Sequence, residues 1–374
     1  MVTVMHRLFV LLGLLLSAQA GLGAEFRPLE SSTNQAIFFS YAFSDDGRWI
    51  AGGTSSRRPG GATNVPVVAG QIVLWDAKTL RQTAILGDHG ATVNWMQFSH
   101  GGKVLATASG GTATIKVWDP EKRTLLHTLK LEEPVLASSS MGSQMLCALS
   151  PDGTRLATVG AVIKPIGISK TSEAATLTVW DLANGKPLWS VTNSGIGAMA
   201  FTPDSSVLVG YSRNIVWELV REIWSSRIEK ETLMAWEVAD GKRRFANPIP
   251  KMNPSHLVVP ASGDRVLALG GDKNIWYGLK DGLVASNQTM VLRQSLHVAA
   301  LSPKSDKLFA IDFSAERFHM VHLTNGASIV VSELKGYTNR LMFASPSHDL
   351  SRIAGTRGVL PTVMELAPAE STKP

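Results

Sequence analysis

Histidine side chains are the first candidates for chemistry in this 374-residue sequence, because they can bind metal ions or transfer protons near neutral pH. The nine histidines include one close pair, His319 and His322, in a run typical of a β-strand. Side chains three positions apart on a strand lie on opposite faces, so this pair does not chelate one ion without a bulge. His256 and His297 fall near the start of two other predicted strands. We therefore expect no metal site.

Motifs of known catalytic chemistry are absent from the sequence. It contains no G-x-S-x-G nucleophile turn, no phosphate-binding G-x-x-x-x-G-K-[ST] loop, no H-E-x-x-H zinc motif and no EF-hand loop. Of the acidic pairs, Asp45-Asp46 belongs to a turn pattern and Glu132-Glu133 to a predicted loop. We interpret both pairs as solvated charge, so the sequence predicts a protein without catalytic residues and without a cofactor.

Three segments that carry cationic residues, the third of them also tryptophans, are the strongest candidates for binding: Ser55 to Ala69, Ala161 to Ala175 and Arg213 to Glu231. Arginine and aromatic side chains carry much of the binding energy at protein interfaces. We predict that the binding residues are Arg57, Arg58, Lys164, Lys170, Arg213, Trp217, Arg221, Trp224 and Arg227. The third segment fits either a helix with Trp217 and Trp224 on one side or the two strands of a hairpin, and both alternatives stay open.

A repeated strand pattern must position these segments. The runs Ile72-Val-Leu-Trp-Asp76, Ile115-Lys-Val-Trp-Asp119 and Leu177-Thr-Val-Trp-Asp181 each end in Trp-Asp, and Leu233-Met-Ala-Trp-Glu237 is a degraded fourth copy. Weaker copies are centred on Tyr277, Val321 and Met364. Four of the six steps between the seven anchors measure 41 to 44 residues. A period of this length is typical of a fold built from one repeated unit.

A turn pattern recurs in phase with these strands, and Ser150-Pro-Asp-Gly153 is its clearest copy. Proline fixes φ, aspartate bonds the nearby backbone and glycine adopts positive φ, so the pattern predicts a tight turn between the first two strands of each repeat. The other copies are Ser44 to Gly47, Ser99 to Gly102, Thr202 to Ser205, Ala261 to Asp264, Ser302 to Ser305 and Ser345 to Ser347.

Together the two patterns resemble the WD-repeat family across Ile37 to Ala367. The resemblance implies an all-β, seven-bladed β-propeller of four-stranded antiparallel blades that pack face to face. The family's hydrogen-bonded tetrad of His, Ser or Thr, Asp and Trp would involve His89, Ser109 and Trp118, with Thr112 where the Asp is expected. Since this tetrad is incomplete, we interpret the tryptophans as structural residues that fill volume between blades.

The last repeat lacks a sequence for its outer strand, because the tail after Ala367 is polar and rich in proline. Phe26 to Ser32 precede the first strand and have no other partner. We predict that these residues complete the last blade and close the ring. The chain then forms one domain, residues 25–367, with a disordered tail at residues 368–374.

The N-terminal residues predict export. Arg7 precedes the apolar run Leu8 to Leu16, which is shorter than the roughly 20 residues of a membrane span, and Ala18-Gln19-Ala20 fits a cleavage site. We expect residues 1–20 to be a signal peptide and the protein to be periplasmic or secreted, without stable membrane insertion; a retained anchor is the alternative. The single cysteine, Cys147, allows no intrachain disulfide.

The sequence predicts a non-catalytic, monomeric scaffold that binds other proteins. In the implied propeller the three candidate segments emerge on one face, beside Leu131 to Ser143, and form one recognition surface. A net charge of +6 is modest for this size, so we expect no nucleic-acid partner. One alternative is a hydrolase-like enzyme or a carbohydrate- or small-ligand-binding propeller with a site at the channel mouth. Several His, Asp or Glu residues at the inner ends of the first strands would favour it. Another is that the segments are only solvated loops.

Overall fold

The computed structural model describes most of the chain between residues 25 and 366. The described ranges are 25–30, 37–55, 70–109, 112–131, 147–166, 169–193, 195–220, 223–252, 254, 256–270, 274–285, 296–301, 307–312, 317–322, 328–333, 341–357 and 360–366. The predicted signal peptide, residues 1–20, and the predicted tail, residues 368–374, lie outside these ranges. Across the described ranges, no helix has the length and apolar character needed to cross a membrane.

These residues form seven antiparallel sheets, which we number in chain order. Sheet 1 contains β2 (Phe38–Phe43), β3 (Trp49–Thr54), β4 (Gln71–Asp76) and β5 (Gln82–Asp88). Sheet 2 contains β6 (Val93–Phe98), a short 3-10 helix (His100–Gly102), β7 (Leu105–Ser109), β8 (Thr114–Asp119) and β9 (Thr124–Lys130). Sheet 3 contains β10 (Cys147–Leu149), β11 (Arg155–Ile166), β12 (Ser169–Asp181) and β13 (Lys186–Asn193). Sheet 4 contains β14 (Ile196–Phe201), β15 (Val207–Val220), β16 (Ile223–Glu237) and β17 (Arg243–Ile249).

The remaining sheets follow the same strand order with two differences. Sheet 5 contains β18 (His256–Val258), β19 (Arg265–Leu269) and β20 (Asn274–Gly278), and sheet 6 contains β21 (Leu296–Leu301), β22 (Lys307–Asp312), β23 (Arg317–His322) and β24 (Ser328–Glu333). Sheet 7 contains β25 (Leu341–Pro346), β26 (Arg352–Arg357), β27 (Leu360–Glu365) and, from the start of the chain, β1 (Glu25–Pro28). The prediction of an all-β chain of antiparallel sheets is confirmed. Within the described residues sheet 5 has three strands rather than four, with a single further bridge between Tyr277 and Val284.

The third strands of sheets 1 to 4 carry the Trp-Asp or Trp-Glu pair and share a bulge. The register against the fourth strand shifts directly before each tryptophan, which increases the local twist. All four rings are buried, at most 7% exposed. They are Trp75, Trp118, Trp180 and Trp236, and each packs in an apolar cluster that contains residues of more than one sheet.

Neighbouring sheets pack in chain order. First strands contact each other from β2 to β6, β10, β14 and β18, and again from β21 to β25. Sheets 5 and 6 share a cluster in which Leu269 and Trp276 pack with Leu308 and Val321. The last sheet contacts the first, because β25 and β26 lie against β2. The arrangement is consistent with a β-propeller whose first strands lie nearest the centre.

The predicted pairing of the N-terminal segment with the last sheet is present. β1 pairs antiparallel with β27, from Glu25 opposite Glu365 to Pro28 opposite Thr362. The next two residues bond to the last and to the first sheet. The Leu29 N–H donates to the Pro361 carbonyl of sheet 7 at 3.0 Å, and the Glu30 N–H donates to the Leu80 carbonyl of sheet 1 at 3.1 Å. Leu29 itself is buried at 4% exposure.

Candidate functional site

Turns between the first and second strands share one hydrogen-bond pattern in sheets 1, 3, 4 and 7. A hydroxyl donates to the carboxylate two residues later, at 2.5–2.6 Å, and its oxygen accepts the backbone N–H five residues later, at 2.9–3.0 Å. The pairs are Ser44 with Asp46, Ser150 with Asp152, Thr202 with Asp204 and Ser347 with Asp349. The Thr202 hydrogen bond is the largest influence on the pKa of Asp204 and lowers it, against the opposing effect of burial.

The turn of sheet 7 lies two residues later than the sequence predicts. Ser345 and Pro346 belong to β25, and the turn starts at Ser347, with Leu350 at φ +59° in the position that Gly47 and Gly153 take in sheets 1 and 3. The predicted turn at Ser345 to Ser347 is therefore wrong. The sequence suggested it because proline, here in a Ser-Pro pair, is typical of this turn. The bonds that define the turn are made instead by Ser347 and Asp349.

The second residue of the turn differs between neighbouring sheets. It is Pro151 in sheet 3 and Pro203 in sheet 4, but Asp45, His100 and His348 in sheets 1, 2 and 7. A cavity of about 200 Å³ opens where these turns meet. It is lined by Phe43, Asp45, Gln97, Phe98, Ser99, His100, Pro151 and His348.

Asp45 orients the imidazole of His100. One carboxylate oxygen accepts the Gly101 backbone N–H at 2.6 Å, and the other accepts a hydrogen bond from Nδ1 of His100. This bond assigns the Nδ1–H tautomer to neutral His100, so Nε2 carries the free lone pair. The His100 side chain is 57% exposed and that of Asp45 20% exposed, so ligands can reach the pair from solvent.

His348 adds a second imidazole. Its ring stands perpendicular to that of His100, with 6.3 Å between ring centroids. Burial lowers the pKa of His348, and this effect outweighs the nearby Asp45 and Asp349 carboxylates, which raise it. His348 therefore stays neutral to lower pH than a solvated histidine does.

The cavity offers acceptors and a negative charge rather than cations. None of its eight lining residues is lysine or arginine. Ser99 is committed to its turn, where its oxygen accepts the Val104 N–H at 3.1 Å. Among the described residues, no group of three or more His, Cys, Asp or Glu side chains has a geometry that holds a metal ion.

The structure places most of the predicted binding residues on two long strand pairs. Ribbon A, residues 163–166 paired with 169–172, carries Lys164 opposite Thr171 and Lys170 opposite Pro165. Ribbon B, residues 213–220 paired with 223–231, contains four more of the predicted residues. They are Arg213 opposite Glu231, Trp217 opposite Ser226, Trp224 opposite Leu219 and Arg227 opposite Val216. The open choice between helix and hairpin is thereby decided in favour of a hairpin. Arg57, Arg58 and Arg221 lie outside the described residues.

Ribbon B has a buried acidic residue at its base. Glu231 is 1% exposed, and its carboxylate accepts the Met252 backbone N–H at 2.8 Å. Arg213 lies directly opposite it in the register. The base of the ribbon is therefore tied both to its partner strand and to the connection into sheet 5.

The cavity residues were not predicted as a site. Asp45 was interpreted only as a turn residue, and His348 was hidden by the misplaced turn of sheet 7. A usable signal exists in the sequence once the turns are aligned correctly: the proline position holds Asp or His in three neighbouring sheets. Two of these residues, Asp45 and His100, then meet across 55 positions of the chain.

The incomplete tetrad predicted for sheet 2 forms as three bonded residues, with a different hydroxyl from the one expected. Thr107, and not Ser109, bonds both His89 Nε2 and the Trp118 indole N–H, each at 2.9 Å. Sheet 3 repeats the arrangement, with Trp180 donating to Thr158 at 3.0 Å. Burial, with a smaller effect of Lys116, lowers the pKa of His89 to about 4. His89 is therefore a neutral core residue at physiological pH.

Acidification is expected to destabilise the protein through His89. Between pH 6.5 and 4 the unfolded chain binds a proton that folded His89 does not, so the unfolding free energy falls as pH drops, by up to about 3 kcal/mol. Replacement by glutamine, His89→Gln, keeps a polar group near Thr107 but cannot titrate. Urea unfolding of both proteins from pH 8 to 4 should show the flatter profile for the variant. Parallel profiles would contradict this role of His89.

Comparisons with known proteins agree with the repeat. Residues 80–119, from β5 to the end of β8, match the family model "WD domain, G-beta repeat". The chain is similar to the "WD repeat-containing protein WDS homolog" of Arabidopsis thaliana, 28% identical over 243 residues that cover 63% of this chain and 39% of the relative. A "CCR4-associated factor 4 homolog" of Candida glabrata is 32% identical over 126 residues, 32% of this chain and 19% of the relative. "Eukaryotic translation initiation factor 3 subunit I" of Culex quinquefasciatus is 39% identical over 66 residues, 18% of this chain and 20% of the relative. The chain thus spans 39% or less of the length of each of these relatives.

Proposed function

Because the chain belongs to the WD-repeat family, we propose that it is a non-catalytic scaffold that binds protein partners through ribbons A and B. The match to the WD-repeat family model and the similarity to a WD-repeat relative support a scaffold role in general terms. The observation that carries the proposal is the extension of two neighbouring sheets into long hairpins at the same end. These hairpins contain most of the arginine, lysine and tryptophan residues that the sequence singles out.

The ribbons extend beyond the sheets from which they grow. In sheet 4 the first strand pairs with β15 only as far as Ser212, and the fourth pairs with β16 only from Glu231 onward. Ribbon B therefore runs past both neighbours for about seven residue pairs, roughly 23 Å at about 3.3 Å per residue. In sheet 3 the fourth strand likewise stops at Ala175, below ribbon A.

Such ribbons suit protein recognition for a physical reason. Beyond the base of ribbon B, where Glu231 pairs with Ile249, neither ribbon pairs with a third strand in the described part of the chain. Each edge thus presents backbone N–H and C=O groups that an extended segment of a partner can bond. Sheets 3 and 4 pack directly on each other through Leu177, Val179, Met234 and Trp236, so the two ribbons rise from neighbouring positions.

We further propose that the seven sheets form one closed ring. Supporting contacts join the last sheet to the first: the Tyr41 hydroxyl and Thr356 hydroxyl lie 2.8 Å apart, and Thr356 donates to the Phe38 carbonyl at 2.9 Å. Both ribbons then lie on one face and the turn cavity on the other. Small-angle scattering from the purified protein should give the compact disc of a closed ring, and an elongated particle would contradict closure.

Export is also part of the proposal, on the strength of the apolar run Leu8 to Leu16 and the small residues before position 21. A scaffold outside the cytoplasm would meet exported or surface proteins. Expression of the full chain in a bacterial host should yield a periplasmic product that starts at Gly21. Retention of residues 1–20 in the cytoplasmic fraction would contradict export.

The scaffold role is tested on ribbon B. The triple change Arg221→Ala, Trp224→Ala and Arg227→Ala should reduce recovery of a crosslinked partner at least tenfold, since arginine and tryptophan anchors each contribute about 2 kcal/mol or more where they dominate an interface. The partner, identified by mass spectrometry and purified, is then titrated against both proteins.

A matched control changes three exposed residues at the edge of sheet 2 that β9 forms: Lys122→Ala, Leu126→Ala and Lys130→Ala. This control should bind the partner as the unchanged protein does. Equal binding by the ribbon variant, with an unchanged unfolding curve, would remove ribbon B from the interface.

A further inference from the structure

We propose that the turn cavity of sheets 7, 1 and 2 binds a primary ammonium group, from a free alkylamine or from a lysine side chain. The observation behind this proposal is that the Asp45 carboxylate and the His100 imidazole offer acceptors between apolar walls, while the Gln97 amide is paired with the Leu149 backbone. The cavity lies at the opposite ends of the strands from ribbons A and B, so the proposal does not rest on the scaffold function.

The acceptors match an –NH3+ group, which has three N–H donors and no acceptor. His100 contributes Nε2, because its Nδ1–H is already donated to Asp45. Asp45 keeps lone pairs beyond the two bonds it accepts, and it supplies the negative charge. The second imidazole, His348, stands 6.3 Å from that of His100 and completes the polar side.

The apolar side suits a short alkyl stem. Phe43, Phe98 and Pro151 line it, and aromatic faces attract cations as well as methylene groups. A volume of about 200 Å³ equals roughly seven water molecules at about 30 Å³ each, so n-butylammonium, with about five non-hydrogen atoms, fits. A lysine side chain has the same stem and head.

Charges around the cavity favour a cation. The guanidinium of Arg48 is held by Asp46 at 2.6 Å and by Glu121 at 2.5 Å. Arg352 is a second cation near the cavity: its guanidinium lies 5.6 Å from the Phe43 ring centroid and donates to the Ala77 carbonyl. The negative charge of Asp349 raises the pKa of His348. Asp45 is the carboxylate among the eight lining residues, and the ion pairs of the described residues join it to His100 and not to a guanidinium.

The pH dependence of binding has a definite sign. Protonation of His348 removes an acceptor and adds positive charge, so ammonium binding weakens as pH falls from 8 to 5. Asp45 and Asp349 favour the protonated form of His348, whereas burial and His100 oppose it. An anionic ligand would show the opposite dependence and bind more tightly at pH 5.

Titration of the full chain with n-butylammonium, followed by calorimetry and by the histidine ring resonances, tests the proposal. We expect saturable binding at pH 8 and at least a tenfold weaker association constant for Asp45→Asn, since hydrogen bonds to charged groups are worth about that factor. Nα-acetyl-lysine amide separates the two sources: binding extends the site to lysine side chains, and butylammonium binding alone restricts it to free amines. Tetramethylammonium, which has the charge but no N–H donor, should bind at least tenfold more weakly than butylammonium.

Two variants keep the test decisive. Asp240→Asn removes a carboxylate from an exposed turn of sheet 4 and should leave binding unchanged. If Asp45→Asn does not fold, His348→Leu should weaken binding severalfold and flatten its pH dependence. The proposal is overturned by binding of butanoate in place of butylammonium, by equal binding of tetramethylammonium, or by association constants that Asp45→Asn and His348→Leu leave unchanged.

Discussion

Deletion of residues 26–32 is expected to lower the melting temperature by at least about 5 °C. The segment supplies most of β1, and its removal exposes one edge of β27 together with the site of Leu29. It also removes the Glu30 carbonyl that accepts the Trp75 indole N–H, which leaves a buried donor without its partner. Burial of a leucine contributes about 1.5–3 kcal/mol and an orphaned buried donor costs about 1–3 kcal/mol. Each kcal/mol lost shifts the melting temperature of a chain this large by roughly 2 °C.

A control variant separates the stability contributed by strand β1 from that of its exposed ion pair. Arg27 bonds Glu365 at 3.1 Å, but both side chains are more than 40% exposed. An exposed ion pair contributes about 0–1 kcal/mol, so Arg27→Ala should shift the melting temperature by no more than about 2 °C. A synthetic peptide of residues 25–32 should restore part of the stability of the deletion protein. An unchanged melting temperature on deletion would show that the ends of the chain are not joined by this strand.

The substitution Gly70→Ala is expected to destabilise the protein by about 2–5 kcal/mol, because it combines backbone strain with a clash. Gly70 has φ +71°, and an added Cβ would lie 1.8 Å from the Ala91 carbonyl oxygen. That oxygen belongs to the backbone between sheets 1 and 2, so it cannot rotate away. The Gly70 carbonyl also accepts the His89 N–H at 3.0 Å, and a shift at Gly70 therefore disturbs the buried histidine.

Gly90 provides a matched control for the clash. Its φ is +70°, but an added Cβ would meet nothing within 4 Å. Gly90→Ala should therefore cost only the strain of the left-handed conformation, about 1–2 kcal/mol. Urea unfolding of the three proteins measures the difference. Equal losses for the two variants would mean that Ala91 can move away from position 70 without cost.

Several features of the fold follow from local sequence. The runs that end in Trp-Asp predict buried third strands, and Trp75 and Trp118 are almost fully buried. The pattern Ser150-Pro-Asp-Gly153 predicts a tight turn, and Gly153 has φ +73° there. These predictions succeed because strand alternation and turn bonds involve residues at most about five positions apart, so the sequence contains all the partners.

The register of neighbouring strands could be determined only from the tertiary structure. Thr107 and Ser109 are two residues apart and thus belong to the same face of β7, so the sequence does not decide which hydroxyl meets Trp118. The pairing of Leu105 with Trp118 decides it and brings Thr107 to the indole. Ribbon B is similar: its residues fit a helix or two strands, and the continuous ladders of β15 and β16 into sheet 4 select the strands.

The sequence by itself determined the repeated strand and turn, the burial of the tryptophans and the segments at which the repeat grows longer. The cavity was decided only by the packing of sheets. Asp45, His100 and His348 each occupy an ordinary turn position, and nothing near them in the chain indicates a ligand. They share a site because sheet 7 returns to sheet 1, and contacts between residues so distant in sequence depend on how whole sheets pack rather than on any local pattern.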